Sequence, residues 1–225
     1  SKRRVYHGLL SMTTTDNATE TTPSAEIRSR WLDALLPRVP EEGWTDLAAK
    51  RAANDAGIDA GERVLAAPNG VDDLIEAFFS NAEAGARATI EAGPLDEMRI
   101  HERVAFGVRT WLDTLEPHRA AVERASARGF WPTHAGDAIQ RCWSVADMVW
   151  DAIGDTSEDY NKYTKRGLLA STIPPVILYW QREPSSEDLD GFIARRLKMA
   201  MQLGQTGGRV MKPVLDLVFG RGSAG

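Results

Sequence analysis

The sequence predicts an all-α protein, and three observations carry that prediction. Apolar residues recur at helical spacing in almost every segment after residue 23. Glycine or proline separates these segments at intervals of one short helix each, and no segment shows the convincing alternation of a half-buried strand. At 225 residues, the chain is long enough for one domain with a sizeable core.

The first 23 residues carry no helical pattern. The opening SKRRVYHGLLSM is basic, but its apolar run is too short for a secretory signal. We interpret residues 1–12 as upstream or vector-derived sequence, with Met12 as the native start. The Thr-rich stretch that follows lacks the residues to build a core, so we expect residues 1–23 to be a disordered lead-in.

Residues 24–93 contain four predicted helices. Ser24 and Thr45 are the expected caps of the first two, because a side-chain hydroxyl there accepts a hydrogen bond from a free helical amide. A short third helix covers residues 60–67, and a long amphipathic helix follows Gly70. This layout resembles the N-terminal helix-turn-helix module of TetR-type repressors, whose short helix enters the major groove of DNA.

The short helix is poorly suited to reading DNA. A DNA reader needs cations and hydrogen-bond donors that face phosphates and base edges. The segment from Trp44 to Gly70 carries a net charge of -1, from three bases and four acids: Lys50, Arg51, Arg63, Asp46, Asp55, Asp59 and Glu62. We therefore expect this module to be structural scaffold and expect no nucleic-acid partner; a ligand-responsive TetR-type repressor is the alternative function.

Residues 94–204 form the predicted helical ligand-binding region. Within it, Ser157 is the expected cap of a helix that should kink at Pro174-Pro175, because proline removes a helical donor and its ring clashes. Residues 205–225 form a predicted amphipathic C-terminal helix. Its apolar, membrane-binding face comprises Val210, Val214, Leu217, Val218 and Phe219. Packing on the body and dimerisation are the alternatives for this helix.

The composition argues against several function classes. The chain has 27 basic and 32 acidic residues and a net charge of -5, which provides no overall field to attract nucleic acid. The single cysteine, Cys142, allows no internal disulfide and no zinc-binding thiol cluster. The histidines form no metal-binding pair, and no nucleophile elbow, phosphate loop or dinucleotide fingerprint occurs. We therefore predict no catalytic residue, no metal, no cofactor and no enzymatic activity.

Residues 154–171, GDTSEDYNKYTKRGLLAS, place aromatic, amide and basic side chains where a helix begins. Asp159, Tyr163 and Arg166 follow i, i+4, i+7 spacing, which predicts an exposed ridge with an acid, a phenol and a cation. Such mixed patches are typical of surfaces that dock a partner protein. Asp147 and Asp151, together with Asp155, are interpreted as a solvated acidic edge.

The segment WDAIGDTSEDYNKYTKRGLLA resembles the core signature of the ubiquinone-biosynthesis accessory proteins, the ninth coenzyme Q protein of mitochondria and its alphaproteobacterial relatives. The resemblance extends from about residue 24 to residue 220. It implies a TetR-like homodimer that has lost DNA binding, binds a lipid in its second half and lays its last helix on a membrane. It also implies delivery of isoprenoid quinone intermediates to a di-iron demethoxyubiquinone hydroxylase. The expected location is cytoplasmic, peripheral to the inner (cytoplasmic) membrane.

The resemblance also assigns a partner-binding role to seven signature positions. These positions are Asp155, Asp159, Tyr160, Asn161, Tyr163, Thr164 and Arg166. The chain departs from the family pattern at Lys162, where mitochondrial members have tryptophan, and at Pro174-Pro175, where relatives have ordinary helix formers.

The bound lipid requires its own set of residues. A long isoprenoid tail needs a deep apolar slot, and its head group needs a few hydrogen-bonding groups at the mouth. Six residues are predicted to line the slot: Trp150, Leu168, Leu169, Ile173, Ile177 and Trp180.

Overall fold

The structure is a computed structural model that describes residues 22–127, 135–156 and 159–207. All regular structure in these ranges is helical, which confirms the all-α prediction. The helices are α1 (Pro23–Leu35), α2 (Val39–Glu42), α3 (Asp46–Asp55), α4 (Ala60–Ala66), α5 (Val71–Glu91), α6 (Ile100–Leu115), α7 (Arg119–Ala125), α8 (Ala135–Ala152), α9 (Asp159–Trp180) and α10 (Ser186–Gly207). The TetR-like arrangement of these helices stays a prediction.

Three helices of the N-terminal module, α1, α3 and α4, begin at side-chain caps. The cap predicted at Thr45 is confirmed, since its hydroxyl accepts a hydrogen bond of 3.1 Å from the Ala48 amide. The cap predicted at Ser24 is wrong, because Thr22 caps α1 instead. Proline needs no amide partner at the first helical position, so Pro23 lets the helix begin earlier. At α4, Asp59 and Glu62 form a reciprocal capping box.

Indole hydrogen bonds fix how the N-terminal module packs. The Trp31 indole on α1 donates to the Ala49 carbonyl on α3 over 2.8 Å. The Trp44 indole, which precedes α3, donates to the Ala121 carbonyl on α7 over 2.8 Å. The second bond crosses to the other half of the chain, and buried residues from both halves belong to one hydrophobic core.

The larger helices pack around that core. Helix α5 lies against α6, and α8 contacts α5, α6 and α9. Helix α10 packs on α9 and α6. A Cβ atom at Gly107 of α6 would lie 2.7 Å from a methyl carbon of Val149 on α8, so this helix crossing requires glycine.

Helix α9 continues through Pro174 and Pro175 to Trp180, and the predicted kink there stays a prediction. In the described ranges, none of the helices has the length and uniform apolarity needed to cross a bilayer. The predicted membrane-binding residues lie beyond Gly207, outside the described residues. They are Val210, Val214, Leu217, Val218 and Phe219.

Candidate functional site

The signature segment occupies the end of α8, a turn at Gly154 and the first half of α9. Gly154 has a φ of 82°, a left-handed conformation that glycine adopts without strain. Helices α8 and α9 then pack along each other. The side chains of the two signature halves are therefore brought face to face.

Arg166 lies at the centre of this contact and is only 1% exposed. Its Nε donates to a carboxylate oxygen of Asp147, its Nη2 lies 2.5 Å from Oδ1 of Asp151, and its Nη1 lies 3.4 Å from Oδ2 of Asp155. The prediction that Arg166 presents a cation on an exposed ridge is wrong. The three carboxylates on the facing side of α8 and its following turn hold the guanidinium between the helices.

The interpretation of the three aspartates as a solvated acidic edge holds only in part, because all three carboxylates pair with Arg166 and the Asp155 side chain is buried. Asp147 and Asp151 have side chains that are 43% and 40% exposed, so water still reaches both carboxylates. The Asp155 side chain is only 6% exposed and also lies 2.8 Å from Nζ of Lys165. Each of the three carboxylates accepts a hydrogen bond from Arg166.

Lys165 and Trp150 extend the same contact. The Lys165 ammonium lies 5.1 Å from the centre of the Trp150 ring, a cation–π distance. The Trp150 indole in turn donates to the Lys165 carbonyl over 3.2 Å. Two consecutive residues of α9 are thus attached to α8, one of them through both its side chain and its backbone.

The charge of Arg166 is secured by its surroundings. Burial alone lowers the pKa of this guanidinium, because desolvation penalises the charged form. Hydrogen bonds and charges from Asp147 and Asp151 outweigh burial and raise the pKa above its ordinary value. The Arg166 guanidinium therefore stays charged under any physiological condition.

Tyr163 lies one turn before Arg166 and points outward. Its side chain is 54% exposed, which confirms the predicted exposure, and its role in partner binding stays a prediction. The ring centre lies 6.2 Å from that of Trp143 on α8, with 31° between the planes. Thr164 is half-buried, and the side chains of Asp159, Tyr160 and Asn161 lie outside the described residues.

The residues predicted to line a lipid slot lie on α8 and α9. Leu169, Ile173, Ile177 and Trp180 are buried in the common core, and Trp150 and Leu168 are half-buried. Two clefts of about 720 Å³ and 400 Å³ are lined by described residues, and neither touches any of the six. The slot itself stays a prediction.

Trp180 ends α9 within a second charged cluster. Its indole donates to Oε2 of Glu116 over 2.8 Å, and the Arg119 guanidinium stacks 4.2 Å from the ring centre. Hydrogen bonds from Arg119, aided by the one from Trp180, lower the pKa of Glu116 below its usual range. Trp180 is thus oriented by polar partners at one edge while its ring packs in the core.

The single cysteine of the chain lies in a setting that disfavours nucleophilic chemistry. Cys142 is buried, and that burial raises the pKa of its thiol to about 11, so the nucleophilic thiolate is scarce near neutral pH. Across the described ranges, His, Cys, Asp and Glu side chains nowhere gather in a group of three that could hold a metal ion.

The helix-turn-helix-like module presents an aliphatic rather than a basic face. On α4, Val64 is 70% exposed and Leu65 is 60% exposed. A DNA reader would carry donors or cations at such positions. This surface supports the expectation that the module is structural scaffold.

Sequence analysis alone missed the part played by Asp147, Asp151 and Lys165. The signal was present, because Asp147, Asp151 and Asp155 are spaced four residues apart, which is the spacing of residues on one side of a helix. A Lys-Arg pair in the next helix is the natural counterpart of such a row. What the spacing could not supply was the contact between the two helices.

Comparisons with known proteins agree with the signature. A family model described as COQ9 matches residues 135–204. The chain is 26% identical over 204 residues to the mitochondrial ubiquinone biosynthesis protein COQ9 of Rattus norvegicus, covering 87% of this chain and 65% of the rat protein. The Homo sapiens protein of the same name is 26% identical, over 87% of this chain and 64% of the human protein. For the Drosophila melanogaster protein, 27% identity covers 79% of this chain and 56% of the relative.

The matched region thus spans slightly less than two thirds of the length of the rat and human relatives. The family model covers α8, α9 and most of α10, which include the Arg166 cluster, Tyr163 and the predicted slot. The resemblance to the COQ9 family that residues 150–170 predict is confirmed by these comparisons.

Proposed function

We propose that this chain is a non-catalytic, lipid-binding accessory protein of ubiquinone biosynthesis. It binds isoprenoid quinone intermediates and presents them to a di-iron demethoxyubiquinone hydroxylase. The observation that carries the proposal is the exposed Tyr163, which stands on the COQ9-like signature within the segment that the family model matches. The relatives' printed role in ubiquinone biosynthesis supports the pathway.

The apolar character of α9 supports the lipid part of the proposal. Leu169, Ile173 and Ile177 lie on its buried side, while Leu178 on another side is 61% exposed. A helix that is apolar on more than one side has more apolar surface than one core can cover. The isoprenoid tail enters between α9 and its neighbours, where Met148 of α8 is a side chain that adapts its shape easily.

Native mass spectrometry of the purified protein tests lipid binding. The expected result is a protein peak accompanied by an adduct of one isoprenoid lipid, which organic extraction removes. Liposome flotation and binding of a short-chain quinone analogue provide independent measurements. A protein that is free of lipid and binds neither liposomes nor the analogue would contradict the proposal.

The docking part of the proposal predicts a specific effect of Tyr163→Ala. Because the side chain is 54% exposed, we expect the free energy of unfolding to change by less than about 0.5 kcal/mol. Binding to the hydroxylase from the same genome should weaken about tenfold, since exposed aromatics are frequent anchors of interfaces. The measurement is surface plasmon resonance with immobilised hydroxylase.

Leu178→Ala is the matched control for that experiment. Leu178 is also exposed and also on α9, but four turns away from Tyr163. It should leave hydroxylase binding unchanged. A large loss of stability in Tyr163→Ala, or equal binding by wild type and Tyr163→Ala, would count against docking through this residue.

The helix-turn-helix-like layout of α3 and α4 favours a second candidate, the TetR-type repressor. Two observations weigh against it: the net charge of -1 from Trp44 to Gly70, and exposed Val64 and Leu65 on α4. Sequence-selective DNA binding at physiological salt, measured against a genomic fragment library, would restore the repressor as the leading function.

A further inference from the structure

We propose that Arg166 is a positioning residue. It fixes the first half of α9 against α8, and so fixes the position of Tyr163 along α8 and the direction in which its side chain points. Only the identity of the partner that docks on Tyr163 rests on the proposed function. Arg166 acts within a group that we call the interhelical clamp, which consists of Trp150, Lys165, Arg166, Asp147, Asp151 and Asp155.

The geometry of the clamp matches what arginine alone can provide. A guanidinium has a planar fork of N–H donors, and here Nε, Nη1 and Nη2 are directed at three different carboxylates. Those carboxylates follow one side of α8 and continue into the turn after it. The Arg166 side chain therefore fixes the position of α9 along the axis of α8 as well as the distance between the two helices.

Burial separates Arg166 from the docking surface. Arg166 is 1% exposed, so a partner protein reaches almost none of it in this conformation. Tyr163 is 54% exposed only three residues earlier on the same helix. The signature thus contains one residue that is available to a partner and another that acts through the position of its neighbour.

The backbone of α9 is held as well as the side chain. The Trp150 indole donates to the Lys165 carbonyl, and the Lys165 ammonium lies against the Trp150 ring and Asp155. A helix fixed at two consecutive residues cannot rotate about its axis without breaking several of these contacts. Rotation is the movement that would turn Tyr163 away from its present direction.

The experiment compares Arg166→Met, Arg166→Lys and the wild type by hydrogen–deuterium exchange with mass spectrometry. Methionine keeps an unbranched apolar stem and removes the charge and the donors, whereas lysine keeps the charge and loses the fork. Amides of residues 162–168 should exchange about tenfold faster in Arg166→Met than in wild type, and by an intermediate factor in Arg166→Lys. Peptides from α5 and α6 should be unchanged.

Arg109→Met is the matched control. Arg109 on α6 also joins two helices, through Asp113 on its own helix and Asp190 on α10 at 2.9 Å and 2.7 Å. Its replacement removes an arginine bridge far along the chain from the signature, and exchange at residues 162–168 should stay at the wild-type rate. If Arg166→Met does not fold, Asp151→Asn, at the half-exposed rim, replaces it and should accelerate the same amides.

Hydroxylase binding provides the second readout, again with Arg109→Met as control. Arg166→Met should weaken binding about as much as Tyr163→Ala, and the double variant should be little weaker than either, because both act on one contact. Unchanged exchange at residues 162–168, or equally faster exchange in every helix, would overturn the positioning role. If the local exchange changes but wild type itself does not bind the hydroxylase, the clamp stands and the proposed function fails.

Discussion

Single residues decide how this fold responds to acid, and Glu116 is the clearest example. Its carboxylate accepts hydrogen bonds from Arg119 and from the indole of buried Trp180. These bonds lower its pKa in the folded state below the ordinary value of 4.5. A carboxyl group with a lowered pKa stabilises the fold above its unfolded-state pKa, and the contribution disappears as the pH falls through the folded-state value.

Glu116→Gln should therefore cost stability at neutral pH and much less in acid. We expect a loss of about 0.5 kcal/mol at about pH 7, because the side chain is 51% exposed and water screens the ion pair. The difference between variant and wild type should shrink as the pH is lowered well below 4.5. Urea unfolding at both pH values measures this, with Glu187→Gln on the exposed side of α10 as the control for loss of a surface charge. A pH-independent difference would contradict the argument.

At this scale, sequence pattern predicts exposure correctly for one residue of the signature and wrongly for another. Tyr163 is exposed as its place in a polar first turn predicts, whereas Arg166 is buried against expectation. Spacing within α9 shows which residues share a side of that helix, but the acceptors of Arg166 belong to α8. An arginine on an isolated helix prefers to face water, and here the carboxylates on the facing helix and turn reverse that preference.

Packing between elements depends on single small residues, and Gly107 tests this for α6 and α8. An added Cβ would lie 2.7 Å from a methyl carbon of Val149. Gly107→Ala should therefore destabilise the fold by about 1–3 kcal/mol through overpacking, although alanine favours helix formation. Thermal and urea unfolding measure the loss. The double variant Gly107→Ala, Val149→Ala should regain part of the stability that Gly107→Ala loses, because the clashing methyl group is removed.

Gly85→Ala supplies the control for that prediction. Gly85 is an exposed position within α5, and an added Cβ there would meet Thr114 at an ordinary 3.5 Å. Alanine lowers the conformational entropy of the unfolded chain, so this variant should be neutral or more stable by up to about 1 kcal/mol. Two variants with the same chemical change should thus differ in effect, one destabilising the fold and the other neutral or stabilising. Equal effects would show that the α6–α8 contact is not tight.

Element boundaries were predictable where a local signal dominates. Thr45 caps α3 as predicted, and Gly154 closes α8. At the start of α1 the local signal is ambiguous, because Thr22 and Ser24 both carry a hydroxyl; Pro23 between them favours Thr22 as the cap. The predicted slot residues show the limit of the same reasoning, because periodicity places Leu169, Ile173 and Ile177 inward but does not distinguish a filled core from a ligand slot.

The whole molecule is held by contacts that join distant parts of the sequence. The Trp44 indole reaches a carbonyl 77 residues away on α7, and the common core contains buried residues from Trp31 to Leu197. The all-α class follows from periodicity summed over many segments, so errors at single positions do not affect it. The contact between the N-terminal module and α7 was not predictable, because a tryptophan donor pairs with a backbone carbonyl that every residue has.

The predicted membrane association is tested at the scale of the whole molecule by truncation after Gly207. Truncation removes the predicted apolar face, which would otherwise anchor the protein at the headgroup region of a bilayer. This face comprises Val210, Val214, Leu217, Val218 and Phe219. The buried residues of α10, Leu189, Ile193, Leu197 and Ala200, all precede the cut, so the melting temperature should be retained. Flotation with liposomes should fall at least fivefold, about 1 kcal/mol in partitioning. Unchanged flotation would contradict the anchor, and a lower melting temperature would show instead that this segment packs on the body.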